Sequence, residues 1–205
     1  MNVPEIFDQP GAAFVLLPAG SKFPPIEKAW QEKPHTFTEA VAHKGNVGVL
    51  AGNGYIGLDQ DDPKAFHELG LPATTTWETR PGRVGMWFMA GGDLAEALES
   101  IGKKPDLAQI KLFKDGQAVG EVKLSRSYQV IPPSWKEVDG QRVDYRLLAA
   151  VPPARISLKW LLQELQKVGI SFSSRLEQNA SKLECMAREA RQSRTDPNSH
   201  RARRY

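Results

Sequence analysis

The stretch Tyr55-Ile56-Gly57-Leu58-Asp59-Gln60-Asp61-Asp62-Pro63 limits what this chain can fold into more than any other. Read with strand alternation, residues 55, 57, 59 and 61 share one face and 56, 58 and 60 the other. Ile56 and Leu58 then enter a core, while Asp59 and Asp61 project together on the opposite side. Two carboxylates so placed repel each other unless a cation sits between them, which suits a divalent metal ion. Ordinary turn carboxylates are the other reading of an isolated Asp-x-Asp. Gly57 leaves room beside the acids. Asp62-Pro63 supplies an N-cap and an N1 proline, which predicts a helix from there to about Leu69, stopped by Gly70.

Around this stretch the chain alternates short apolar runs with turn residues. Gly11–Pro18 reads as a buried strand, and Trp30 beyond it as a core anchor. Thr36-Phe37-Thr38-Glu39 is a capping box opening a short helix, with Gly45 as its C′ residue. Asn46–Gly52 reads as a strand joined by the turn Asn53-Gly54 to the acidic strand, a hairpin signal. Thr74–Thr79 and Val84–Met89 read as strands flanking the cationic turn Arg80-Pro81-Gly82-Arg83. Asp93-Leu94-Ala95-Glu96 is a second capping box, opening a helix that ends at Gly102. Ile110–Phe113 and Ala118–Leu124 flank Asp115-Gly116 as another hairpin, and Tyr128–Ile131 and Tyr145–Leu148 are further strands. The predicted body is α+β, with largely antiparallel or mixed sheets.

Pro152-Pro153 marks a predicted boundary. Beyond it Ser157 caps a helix ending at Gly169, with Leu158, Leu161, Leu162, Leu165 and Val168 on one stripe. Ser174-Arg175-Leu176-Glu177 is a third capping box. The expected organisation is a body over 1–150, a basic helical extension over 151–192 and a disordered tail over 193–205. Charge follows the same division: 11 of the 27 Lys+Arg but only 5 of the 24 Asp+Glu lie from Val151 onward. A basic extension on a slightly acidic body often contacts nucleic acid. The single cysteine, Cys185, excludes an internal disulfide and a Cys-based zinc site, which fits a reducing cytoplasm. No apolar run reaches the ~18–20 residues that span a bilayer, and the N-terminus lacks the basic region of a signal peptide.

Glu121 and Lys123 lie two apart in the strand Ala118–Lys123 and so point to one side. Alone they also fit a same-face surface ion pair. With Asp59 and Asp61, Glu121 completes a three-acid set of the kind that holds two divalent ions about 3.5–4 Å apart. Arg80, Arg83 and Lys123 then offset phosphate charge. Trp77 and Trp87 read as core, and His35, His43, His67 and His200 have no metal-ligand spacing.

The order of these segments resembles the bifunctional primase–polymerase (prim-pol) domain of the archaeo-eukaryotic primase superfamily. The matching features are an apolar strand with Lys22-x-Pro24 and Trp30, then Asn46-Val47-Gly48-Val49 with Gly52, then Leu58-Asp59-x-Asp61. A Thr-rich strand follows, leading into a Gly-containing turn and an aromatic strand. Glu121-x-Lys123 and Tyr128-x-Val130-Ile131-Pro132-Pro133-Ser134 complete the series, which spans roughly residues 10–150. The resemblance implies a primase-like fold and template-directed nucleotidyl transfer. It assigns Asp59, Asp61 and Glu121 to Mg²⁺ or Mn²⁺, Gly82–Phe88 to the motif at the nucleotide's phosphates and Lys123 to the basic residue after the third acid. With Arg83, Arg80 and Gly82, and with Tyr128 as a candidate sugar or base contact, Lys123 makes up the expected nucleotide-binding set. The implied partners are a single-stranded DNA template, dNTP or NTP, and a separate helicase or replication initiator. With no Gly-x-x-x-x-Gly-Lys-Ser/Thr loop in the sequence, unwinding is expected from a separate protein or from another part of a longer one. No membrane partner is expected, and the implied setting is replication of a plasmid, phage or other mobile element.

One departure is visible. The family usually carries a histidine beside the Gly-rich turn, where this chain has Gly85 or Met86. Arg83 or Arg80 takes over that phosphate contact on one reading. On the other, the domain is a catalytically degenerate relative that binds nucleic acid or nucleotide as a replication accessory. A metal-dependent nuclease is a further alternative, because nucleases also use carboxylate clusters.

Overall fold

A computed structural model describes residues 2–172. Its first elements are β1 (Phe14–Leu17), α1 (Phe37–Ala42), β2 (Asn46–Ala51), β3 (Tyr55–Gln60), β4 (Thr75–Arg80), β5 (Arg83–Gly91) and α2 (Leu94–Glu99). These are followed by β6 (Gln109–Lys114), β7 (Gln117–Lys123), β8 (Ser127–Ile131), β9 (Trp135–Val138), β10 (Gln141–Asp144) and β11 (Arg146–Ala149). The described chain closes with β12 (Arg155–Ser157) and α3 (Leu158–Lys167). The large sheet runs β11-β4-β5-β3-β7-β6, with every pairing antiparallel, and β12 adds alongside the far end of β5 in parallel. A second sheet runs β1-β2-β8, and β9 with β10 forms a separate ribbon. Mostly antiparallel sheet with few helices makes this a mixed α+β fold. No described helix is long and apolar enough to cross a membrane.

Alternation along β3 distributes its residues as the sequence predicts. Ile56 and Leu58 join Phe88, Leu112 and Val122 in a core covered by α2 and α3. Within α3, Leu158, Leu161, Leu162 and Leu165 are buried at helical spacing, and Ser157 caps the helix by accepting from Trp160 N–H at 3.1 Å. Full burial of each leucine is worth roughly 1.5–3 kcal/mol. The segment after Pro152-Pro153 is therefore packed into the body as far as residue 172, through β12 and α3. The helix predicted from Ser174 and the tail over 193–205 lie outside the described residues.

The opposite face of the large sheet carries Tyr55, Trp77 and Trp87, on which Phe14, Val47 and Val49 of the small sheet pack. β1 alternates between this layer and an outer one, where Val15 and Leu17 meet Leu50. Strands buried on both faces read as continuous apolar runs, which explains the run at Gly11–Pro18.

Four local expectations are corrected by tertiary constraints. Asn53 and Gly54 do form a tight turn with φ of 50° and 90°, but β2 and β3 bridge only at Gly52–Tyr55 before entering different sheets. Both strands are apolar on both faces, so each needs a covering layer on either side, and two stacked sheets supply it. The helix expected up to Leu69 is a single 3-10 turn, Pro63–Phe66. Phe66, Leu69 and Leu71 all reach the same core, and residues five apart diverge on a continuous helix. α1 has its capping box, but ends at His43 in extended backbone instead of a glycine cap. At Gly45 any side chain would overlap Leu17 O and the His43 ring. Trp30 is half-buried rather than a core anchor, its ring edge-on to Tyr128 at 5.1 Å. Strands β9, β10 and β12 were not expected, although Asp139-Gly140 carried the turn signal for the first two (φ 52° and 75°).

Candidate active site

The two faces of the large sheet differ at one place. Toward the end of β3, the apolar layer beneath the small sheet gives way to a cavity of about 570 Å³. Asp59, Asp61 and Glu121 line it, together with seven Lys and Arg side chains. That volume is within the range of small-molecule sites.

Register explains how distant residues converge. Directly opposed residues of antiparallel strands share a face, and one row crosses the sheet as Trp77, Gly85, Asp59, Glu121 and Lys111. Asp59 and Glu121 are thus immediate cross-strand neighbours. Lys111 joins the row because the β6–β7 ladder shifts by one residue between Leu112 and Phe113. Without that bulge Lys111 would oppose Gly120 and face the other way. At Gly120 itself an added Cβ would overlap Asp59 O, so glycine is what lets β7 lie this close to β3.

The two central carboxylates are tuned in opposite directions. Asp59 Oδ1 accepts from Gln129 Nε2 at 2.6 Å. Burial pushes the Asp59 carboxyl up to about 6, against the pull of Lys123 and this hydrogen bond, and the charges of Glu121 and Asp61 add to the rise. Burial alone would raise Glu121 too, but Lys123 and Lys111 outweigh it and hold that carboxyl below its ordinary range. Lys111 pairs with Oε2 of Glu121 and Lys123 with Oε1. The same-face pair anticipated for Glu121 and Lys123 does form, in a half-buried setting and with Lys111 as a third member. Lys123 also donates to Gln109 Oε1 at 3.1 Å. Asp61 donates its backbone N–H to Val119 O at 2.8 Å and pairs its carboxylate with Arg83.

Of the remaining residues singled out in the sequence, Arg80 and Tyr128 line the cavity, and Tyr128 donates its hydroxyl to Lys22 O at 2.7 Å. Gly82 stands outside the cavity wall, at the β4–β5 turn with φ of 72°. No described histidine lines the cavity. Gly85 lies on the Asp59 face, and the Trp77 indole occupies the space a side chain there would need, fixed by its Nε1–H to Val130 O at 3.0 Å. Met86, opposite Leu58, turns toward the other face.

Sequence reasoning gave no site role to Gln129, Tyr145, Lys111, Arg126 or Lys136, which line the cavity, and named Lys22 only as part of the Lys22-x-Pro24 motif. A buried glutamine at an inward position of Ser127-x-Gln129-x-Ile131 was a usable signal. Gly57 is also explained by it, because a Cβ there would overlap the Gln129 side chain. Tyr145 is pushed up to about 12 by burial, with the Asp59 charge adding to the effect.

Among the described residues, no three His, Cys, Asp or Glu side chains are grouped to hold an ion by themselves. Asp59 and Glu121 nevertheless offer hard oxygen donors from adjacent strands, and Gln129 Oε1 is buried beside Asp59 without a donor. Magnesium-like ions usually take one or two carboxylates and complete their shell with waters and substrate phosphate oxygens. The donors present fit Mg²⁺ or Mn²⁺ on that basis. A family model described as bifunctional DNA primase/polymerase, N-terminal, matches residues 4–158. No curated protein matches the chain.

Proposed function

Because the chain belongs to the family of bifunctional DNA primase/polymerase N-terminal domains, we propose that it transfers nucleotides onto a growing strand under the direction of a single-stranded DNA template. The observation that carries this reading is the direct opposition of Asp59 and Glu121 in neighbouring strands, on the wall of a cavity otherwise rich in lysine and arginine. A carboxylate pair beside an excess of cations suits a substrate that is a metal-chelated polyanion, such as the triphosphate of a dNTP or NTP.

In the proposed reaction the 3′-hydroxyl of the strand attacks the α-phosphorus of the nucleotide. A new P–O bond forms, the α–β bridge breaks, and pyrophosphate leaves. Asp59, Asp61 and Glu121 would hold Mg²⁺ or Mn²⁺, and ions bound there would supply activation of the attacking hydroxyl and stabilisation of the leaving oxygens by a two-metal mechanism. Arg83 and Arg80 bind the phosphates, since a guanidinium fork grips phosphate oxygens in pairs. Lys111 and Lys123 keep Glu121 ionised below its ordinary range, so its oxygens are ready as acceptors. Gln129 fixes the orientation of the Asp59 carboxylate. Trp77 fills the space above Gly85, which leaves the arginines of the β4–β5 turn as the phosphate contacts on that side.

Primer extension on a single-stranded template, with labelled nucleotides and Mn²⁺, tests the proposal. The expected result is incorporation with release of pyrophosphate, lost in Asp59→Ala and Glu121→Ala. Template or nucleotide binding by folded protein without any incorporation would instead identify the accessory role. Strand cleavage without pyrophosphate would identify a nuclease.

A further inference from the structure

One wall of the cavity gathers positive charge that the carboxylates do not balance. Lys22 on the loop after β1, Arg80 at the end of β4 and Lys136 on β9 all line it. Among the described residues none of the three is paired with a carboxylate, whereas Arg83, Lys111 and Lys123 all are. Their mutual repulsion bears on Lys136. Burial first, then the charges of Arg80, Lys22 and Arg83, push its ammonium down to about 8.

Like charges separate unless structure holds them, and here it does. Asn46, only 1% exposed, donates from Nδ2 to Ser21 O at 2.8 Å and to Trp135 O at 2.6 Å, and accepts from Trp135 N–H at 3.1 Å. Ser21 and Trp135 are the residues next to the two lysines, so one buried amide clamps both backbones. A second tie runs from the Tyr128 hydroxyl to Lys22 O. The Lys136 ammonium lies 5.5 Å from the centre of the Tyr145 ring, a contact that steadies the cation without using its hydrogen-bond donors. Rigid, uncompensated cations with free donors are what an anion site requires before its ligand arrives.

We propose that Lys22, Arg80 and Lys136 form a phosphate-binding subsite on this wall, which takes a phosphate of either the nucleotide or the nucleic-acid strand. It rests on the polymerase reading and deepens it by adding Lys22 and Lys136 to the phosphate contacts of Arg80 and Arg83. The clamp through Asn46 fixes the spacing of the two lysines, and Arg80 at the hairpin end completes the cluster.

The test uses the full chain in EDTA, so that no turnover is involved. Binding is measured for two probes, inorganic tripolyphosphate and a fluorescein-labelled single-stranded DNA 20-mer. The variants are Lys22→Ala, Lys136→Ala, the double variant, Lys136→Arg, and Lys159→Ala on exposed α3 surface as the control. The double variant is expected to lose at least tenfold affinity for one probe or both, whereas Lys136→Arg should bind nearly as wild type does and better than Lys136→Ala. For the DNA, the salt dependence should flatten by about one logarithmic slope unit per phosphate contact removed. Loss for tripolyphosphate alone assigns the subsite to the nucleotide, and loss for DNA alone assigns it to the strand. Affinities within twofold of wild type for both probes, or an equal loss in Lys159→Ala, overturn the proposal. Melting temperature checks folding, and relief of repulsion should leave it unchanged or raised. A wild type that binds these probes but incorporates no nucleotide sinks the polymerase reading while leaving the subsite standing.

Discussion

Replacing Asp59 by asparagine should make the metal-free protein more stable at neutral pH while abolishing the proposed nucleotidyl transfer. In the unfolded chain this carboxyl has its ordinary value of 3.8, and in the fold it is raised to about 6. A raised carboxyl favours the folded state fully only below the unfolded value, and that contribution disappears as pH rises through the folded value. Above about 6 the ionised Asp59 is therefore a net cost. At about 1.4 kcal/mol for each tenfold change in proton affinity, the rise corresponds to about 3 kcal/mol. Because the carboxyl opens onto cavity water, that figure is an upper one. Asparagine keeps an acceptor for Gln129 Nε2 and brings an N–H for the buried, donorless Gln129 Oε1. Urea titrations of wild type and Asp59→Asn in EDTA, at pH 4 and pH 8, measure the effect. The variant should gain on wild type by about 2–3 kcal/mol between the two pH values. Millimolar Mg²⁺ or Mn²⁺ should narrow the gap at pH 8, since only the carboxylate binds the ion. A gap that does not change with pH, or a variant less stable at pH 8 than at pH 4 relative to wild type, would refute the reasoning.

Glu121→Gln should act with the opposite sign, because its carboxyl is held low by Lys111 and Lys123. Its contribution is present above the ordinary value of 4.5 and fades as pH falls, so the variant should lose on the order of 1 kcal/mol at pH 8 and progressively less as pH falls below 4.5, read by urea titration. Gly120→Ala places a Cβ against Asp59 O and within 3.2 Å of the Phe66 ring. It should cost about 1–3 kcal/mol and reduce nucleotide incorporation by parting β3 from β7. Thr36→Ala removes the side-chain half of the α1 capping box, in which Thr36 Oγ1 accepts from Glu39 N–H at 3.3 Å and donates to Glu39 Oε2 at 2.9 Å. Thermal melts should show a loss of about 1 kcal/mol with incorporation unchanged.

The sequence was most informative where a local rule acts on its own. Strand alternation placed Ile56 and Leu58 in the core and Asp59 on the other side, and the turns at Asp115-Gly116 and Asn53-Gly54 were read from residues that tolerate positive φ. The helical stripe of α3 was legible for the same reason. The rules failed where two of them competed. Asp62-Pro63 starts a turn of helix, as read, but the burial of Leu71 ends it after Phe66. The Asn53-Gly54 turn exists, yet the need to cover both faces of two apolar strands sends β2 and β3 into separate sheets.

By itself, then, the sequence determined which residues lie on the acidic face and which on the core face, because alternation depends only on backbone geometry. Whether Asp59 meets Glu121, and what sits beside them, depended on register and on which layers stack. A one-residue bulge between Leu112 and Phe113 brought Lys111 to Glu121, and the packing of β8 over β3 brought Gln129 to Asp59. The opposite proton affinities of the two neighbouring carboxylates follow from burial at Asp59 and from the Lys123 and Lys111 charges at Glu121. Electrostatic tuning depends on distance through space, and that distance exists only once the chain has folded.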